Sequence, residues 1–285
     1  MSEFRKVAIL GGGLLGGSLA LALAARGGPG ASLWARRRQT VQDARAAGIS
    51  GASEDLGEAL EGAELVILGV PVGAMPGLVE RALASGLGPG TLVSDVGSVK
   101  RVVHEALGPM LREAGVPFIG GHPMAGSERQ GIASSRADLF EGAACLLSDD
   151  EGVGQPLAAR LEAFWAGIGC RVTWTDARRH DELVARISHF PHLMAAATAL
   201  VSLGDPAEAR FGGGGLRDTT RVAGGDSGMW SEILTENREA VAAALRESIE
   251  GLGEMLAMLE AGDHEAVRSW LERARSLHQA SRDAR

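Results

Sequence analysis

His122 stands in the run Gly121-His122-Pro123-Met124-Ala125-Gly126-Ser127-Glu128, directly after the apolar segment Val116–Gly121. A histidine titrates near neutrality, so at the carboxyl edge of a sheet it suits the removal of a proton from an alcohol whose carbon is losing hydride. Ser94-Asp95-Val96-Gly97-Ser98-Val99-Lys100 closes the preceding apolar run, and the Ser98 hydroxyl is expected to orient that imidazole. The plainer reading of an isolated His-Pro is a loop histidine that caps a helix. Further along come His180-Asp181, Ser188-His189-Phe190-Pro191-His192 and Gly215-Leu216-Arg217-Asp218-Thr219-Thr220-Arg221. His189 and His192 are three apart and can share a helical face; with His180 they would make a zinc triad. Hydride removal needs no metal and no carboxylate has ligand spacing, so no metal is expected. Arg221, close to Asp218 and Thr219, reads either as a helix-end salt bridge or, in a cleft, as a fork for a substrate carboxylate. The chain has no Tyr, and its only lysines are Lys6 and Lys100, so few other groups can move a proton.

Gly11-Gly12-Gly13-Leu14-Leu15-Gly16 matches GxGxxG after an apolar strand and opens an Ala/Leu-rich helix. In that pattern Gly11 permits the tight turn, Gly13 the approach of a pyrophosphate and Gly16 the close helix–strand contact. The N–H groups of the helix start, at Leu14 and Leu15, would meet the phosphates. Val70 and Pro71, at the end of AELVILGV, are expected to touch the dinucleotide as well, as is Ser98. The alternative is a glycine-rich turn without a ligand. About 20 residues after the glycines an acid usually holds the ribose 2′-hydroxyl. Here Trp34-Ala35-Arg36-Arg37-Arg38 has Ala35 in that place. Arg36 and Arg37 would welcome a 2′-phosphate, so the cofactor is NAD(P) with a lean to NADP; the plainer reading is a solvated basic loop.

These groups need a frame, and the chain supplies one. From Lys6 to about Thr175 short apolar runs alternate with helical patterns, which predicts βαβ units around a mainly parallel sheet. From about Ala177 the strand signal stops and long helical segments follow, notably Asp181–Leu203, Ser231–Glu260 and Asp263–Ser281, the last with Asp263 as N-cap. The expected architecture is an α/β Rossmann-type dinucleotide-binding domain over 1–175 and an all-α domain over 176–285. Of the 285 residues 45% are hydrophobic and 22% charged, enough for a full core. The net charge of −8 argues against a nucleic-acid partner, since nothing would neutralise a phosphate backbone. Cys145 and Cys170 form no metal-type pair, which suits a reducing cytoplasm. The glycines interrupt the N-terminal apolar run, and no stretch approaches the roughly 18 residues of a membrane helix. The protein is therefore expected to be soluble and cytoplasmic.

The stretches GGGLLGGSLA, SDVGSVK, GGHPMAGSERQGI, HDELVARISHFPHLMA, GGGGLRDTTRVA and MWSEILTENREAV together resemble the prephenate/arogenate dehydrogenase family of tyrosine biosynthesis. They occur in family order from residue 6 to about 245. The resemblance implies a Rossmann domain joined to a helical dimerisation domain, and therefore a homodimer. It implies oxidative decarboxylation of prephenate or arogenate to 4-hydroxyphenylpyruvate or tyrosine, with CO2 and NAD(P)H. Carried residue by residue, it makes His122 the group that deprotonates the ring hydroxyl and Ser98 the one that positions His122 and the nicotinamide. Arg221 would bind a substrate carboxylate, and His192 with Ser127 and His189 would line the pocket. The missing acid after the second strand departs from many family members. The chain ends with its helical segment, so no added mutase or regulatory domain is expected.

Two other readings compete. A β-hydroxyacid dehydrogenase or related reductase also joins a Rossmann half to a helical half, but uses a lysine in the helical half. This chain has none after Lys100. A protein that senses NADP without turnover would leave His122, His192 and Arg221 with no shared purpose.

Overall fold

A computed structural model of the chain describes residues 4–126 and 131–283. Residues up to Asn237 pack as one unit and those from Arg238 as another. In the first unit, strands β1 (Lys6–Leu10), β2 (Gly30–Trp34), β3 (Ala52–Ser53), β4 (Leu65–Leu68) and β5 (Leu92–Asp95) form a parallel sheet in the order β3-β2-β1-β4-β5. Alternate residues of β1 serve opposite faces: Val7 and Ile9 join one apolar cluster, Ala8 and Leu10 the other. Leu19, Ala20 and Leu23 of the helix Leu14–Ala25 cover the first face. The second is covered by Leu78, Val79 and Ala82 of Met75–Ala84 and by Val103, Leu107 and Leu111 of Arg101–Glu113. Burial on both faces explains why these strands read as unbroken apolar runs. β3 is only two residues long and carries no such run, so nothing in the sequence marks it.

A second sheet holds β6 (Gly120–Pro123), β7 (Ala144–Ser148) and β8 (Arg171–Thr175) in that order. β6 runs antiparallel to β7, and β7 is parallel to β8. The expected arrangement, mainly parallel with His122 just beyond a strand, is thus corrected in one respect: His122 lies inside β6, opposite Leu146. The Gly120-Gly121 pair makes this possible. A Cβ on Gly121 would lie 2.7 Å from the Asp95 carbonyl oxygen, and one on Gly120 2.6 Å from Ser148 Oγ, so only glycines let β6 pass this close.

After β8 the unit is helical. The expected helix over Asp181–Leu203 is instead Ala177–Val184, a π-helical turn Ala185–His189 and Phe190–Ser202. Pro191 has no N–H to offer the carbonyl one turn back, so the regular ladder fails just ahead of it. The expected Ser231–Glu260 helix is likewise divided into Ser227–Glu236 and Arg238–Glu260 by Asn237. The second unit is the pair Arg238–Glu260 and His264–Asp283, turned at Gly262 with φ +65°. Asp263 caps the last helix as expected, accepting the Ala266 N–H at 3.0 Å. Among the described residues no helix is long and apolar enough to cross a membrane.

Candidate active site

The glycine turn joins β1 to the helix Leu14–Ala25. Gly11 has φ +143°, and a Cβ there would lie 2.2 Å from the Gly69 carbonyl oxygen. A Cβ on Gly16 would come within 1.9 Å of the Gly11 oxygen, so both glycines are fixed by backbone contact. Gly13 differs, because a Cβ there would meet nothing within 4 Å. Gly13 is the N-cap, and no side chain caps the helix, so its first N–H groups are not taken up by a side-chain cap. A turn closed by backbone contact at Gly11 and Gly16, with room for a Cβ at Gly13 and a positive helix end, fits a dinucleotide pyrophosphate. The turn after β4 lies beside it, with Gly69 donating to the Leu10 carbonyl at 2.9 Å and then Val70 and Pro71. Ala35 is buried at the end of β2, while Arg36 and Arg37 are exposed.

His122 meets a partner that is 58 residues away in sequence. Its Nδ1 lies 2.8 Å from His180 Nε2, and His180 Nδ1 lies 2.8 Å from Asp181 Oδ1. Asp181 also accepts the main-chain N–H of Lys100 at 2.8 Å and of Arg101 at 3.0 Å. Burial pushes the Asp181 carboxyl up, but the hydrogen bonds from His180 and these two amides outweigh it and leave it below the usual carboxylate range. A carboxylate only accepts, so His180 Nδ1 carries a proton and its Nε2 a lone pair. His122 Nδ1 must then donate to that lone pair, which leaves His122 Nε2 free to accept a proton. Burial, then the neighbouring His180 and Lys100, hold His122 well below the ordinary histidine value of 6.5. The ring is therefore a neutral base at physiological pH.

Beneath this chain lies a fully buried ion pair. Lys100 Nζ donates to Asp95 Oδ2, and the other Asp95 oxygen accepts the Gly121 N–H at 3.0 Å. Asp95 thereby ties the end of β5 to the start of β6, one residue before His122. Loss of either partner would strand a buried charge, at a cost of about 3–5 kcal/mol.

The helical side supplies the remaining candidates. His189 ends the π-helical turn and is 1% exposed. His192 is half-buried; it stacks on Trp230 with ring centroids 3.6 Å apart and donates from Nδ1 to the Ser188 carbonyl at 3.0 Å. Arg221 is exposed and close enough to His192 for its charge to depress that ring, after burial itself. Asp218 is paired with Arg217 at 3.9 Å rather than with Arg221, and no carboxylate faces Arg221 among the described residues.

Several expectations need adjusting. Ser98 is half-buried after β5, but the hydrogen-bonded partner of the His122 ring is His180, not Ser98. His180, considered from sequence only as a third zinc ligand, spends both ring nitrogens on Asp181 and His122. The adjacent His180-Asp181 pair was the available signal for this relay. Asn237 and Trp230 carried no signal beyond their place in a resembling stretch. Ser127 lies outside the described residues.

The family model described as the prephenate dehydrogenase nucleotide-binding domain matches residues 19–174, and the one for the prephenate dehydrogenase dimerization domain matches 176–273. The prephenate dehydrogenase of Lactococcus lactis subsp. cremoris is 30% identical over 283 residues, covering 97% of this chain and 77% of that protein. The cyclohexadienyl dehydrogenase of Zymomonas mobilis is 31% identical over 270 residues, covering 92% of this chain and 91% of that one. The crystal structure of prephenate dehydrogenase from A. aeolicus, in complex with hydroxyphenyl propionate and NAD+, superposes with a TM-score of 0.88 at 25% identity, covering 97% and 98% of the two chains. The two family models follow one another along this one polypeptide, and the chain belongs to the prephenate dehydrogenase family.

Proposed function

We propose that this protein oxidises and decarboxylates prephenate or arogenate, giving 4-hydroxyphenylpyruvate or tyrosine and CO2. Bound NAD(P)+ supplies the hydride acceptor. The observation that carries the reading is the lone pair on His122 Nε2, left free by the Asp181–His180–His122 chain. His122 takes the ring hydroxyl proton at Nε2 as hydride leaves the same carbon. Its Nδ1–H stays donated to His180, so the positive charge that develops is shared towards Asp181. Loss of CO2 then sends the bond electrons through the ring to the oxygen, which takes the proton back from His122, and aromatisation makes the step irreversible. Arg221 holds a substrate carboxylate by its planar fork. His189 and His192 line the pocket, and Ser98 positions the nicotinamide. A positioned base of this kind contributes about 10²–10⁴-fold.

Gly13, Leu14 and Leu15 meet the pyrophosphate, in a turn that Gly11 and Gly16 close by backbone contact, with Val70 and Pro71 beside it. Ala35 leaves room at the ribose 2′ position, and the exposed Arg36 and Arg37 favour a 2′-phosphate, so the preferred cofactor is NADP+. Residues 1–175 form the nucleotide-binding domain and 176–285 the helical domain for substrate and dimerisation. Support for a homodimer comes from large apolar side chains left in solvent: Leu200 is 82% exposed, Val201 87% and Phe211 77%. The decisive assay crosses both substrates with both cofactors and follows formation of reduced nicotinamide. The reading expects turnover with prephenate or arogenate, faster with NADP+; no turnover with any pair would overturn it.

A further inference from the structure

Four histidines surround the site, and their hydrogen bonds assign each a tautomer. His122 and His180 carry their proton on Nδ1, as derived above. His192 does too, because its Nδ1 faces the Ser188 carbonyl, which can only accept. His189 is reversed. The Asn237 side-chain nitrogen donates one hydrogen to the Asp181 carbonyl at 2.8 Å, which fixes the orientation of the amide. Its second hydrogen points to His189 Nδ1 at 3.1 Å, so that nitrogen must hold a lone pair and the proton must sit on Nε2. That Nε2–H has no hydrogen-bond partner among the described residues, although His189 is 1% and Asn237 3% exposed.

We propose that Asn237 is a positioning residue: it locks His189 as an Nε2–H donor, and that donor serves a carboxylate oxygen of the bound substrate. The substrate half of this rests on the function proposed above. A buried donor without an acceptor is costly, so its retention calls for an incoming oxygen. The Ser98 carbonyl lies close enough to the ring to favour a proton on it but out of hydrogen-bond geometry with Nε2, and the ring lies within electrostatic reach of His122 and His192. Burial holds His189 down at about 4, so it donates as a neutral ring, not as a cation. Asp181 thus governs two histidines in opposite senses. Its side chain, through His180, leaves His122 Nε2 an acceptor; its main-chain carbonyl, through Asn237, leaves His189 Nε2 a donor.

Imidazole nitrogen shifts of the full-length protein labelled with 15N-histidine test the first half, with His189→Gln used to assign the signal. The expected result is a neutral His189 protonated on Nε2 in the unaltered protein, and on Nδ1 in Asn237→Asp, where a carboxylate replaces the donor. Asn237→Ala should leave the tautomer mixed. Kinetics test the second half: both variants should raise substrate KM by about 10- to 100-fold while kcat and the Kd for NAD(P)+ change little. A proton on Nδ1 in the unaltered protein would overturn the proposal even if neither variant folded. An unchanged substrate KM in variants with an altered tautomer, or an equal loss of cofactor affinity, would overturn the substrate half. Absence of turnover with either substrate would remove that half along with the proposed function, while the tautomer result would still decide the role of Asn237.

Discussion

Arg36 and Arg37 follow β2 and are exposed, and the buried methyl group of Ala35 stands where a ribose-binding carboxylate would repel a phosphate. Replacing both arginines by Ala should raise KM for NADP+ by about tenfold or more and alter KM for NAD+ much less, because only the first carries the 2′-phosphate. Initial rates over a range of each cofactor check this; equal effects on both would contradict it. At this scale the sequence disclosed residue types better than their states. The glycines, His122 and the basic run were visible as motifs, since each occupies a few consecutive positions. The tautomer of His122 was not, because it depends on His180 and through it on Asp181. Such partners meet only after the helix Ala177–Val184 docks against the start of Arg101–Glu113, where Asp181 receives two main-chain N–H groups.

Among the elements, the βα turn separates structural from ligand-binding glycines. Gly16→Ala would push a methyl group to within 1.9 Å of the Gly11 oxygen, so it should destabilise the fold by about 1–3 kcal/mol or more. Gly13→Ala would meet no protein atom. It should leave stability within about 0.5 kcal/mol, yet raise the cofactor KM by occupying the space of the pyrophosphate. Thermal unfolding together with cofactor titration distinguishes the two, and the same phenotype for both would contradict the assignment. The strands were legible because burial on both faces makes them continuously apolar. The π-helical turn at Ala185–His189 was not, since Pro191 announces an interruption without stating its form. β6 was placed slightly early for a related reason. The run Val116–Gly121 reads as the strand and His122-Pro123 as the loop after it, whereas tight packing against Asp95 and Ser148 carries the strand on to Pro123.

For the whole molecule, the succession of alternating and then purely helical segments was enough to recover an α/β part followed by an α part. The division of packing at Asn237 was not legible, because no change in composition marks it. Ile249, Leu252, Leu256 and Leu259 on Arg238–Glu260 are likewise large apolar side chains in solvent, and light scattering at micromolar concentration should give twice the chain mass. A monomer would refute the dimer. Stability should also fall on acidification. His122, His180, His189 and His192 all sit below 6.5, so below that pH the unfolded chain binds protons that the folded chain refuses. The loss runs from 6.5 down towards about 4, where His189 titrates, at up to about 1.4 kcal/mol per pH unit for each fully buried ring. Glu236, raised to about 7 by burial and by Glu232, opposes this for one partly exposed group between 4.5 and 7. A thermal midpoint that stayed level across that window would contradict the neutral, buried histidine cluster. The account as a whole turns on His122 as the base, and the kinetics of His122→Asn test it most directly. Asparagine can keep a hydrogen bond to the ring hydroxyl but cannot take its proton. The expected result is a kcat lowered by about 10²–10⁴-fold with substrate KM nearly unchanged. A variant with near-normal kcat, or one that failed only by losing substrate affinity, would contradict it.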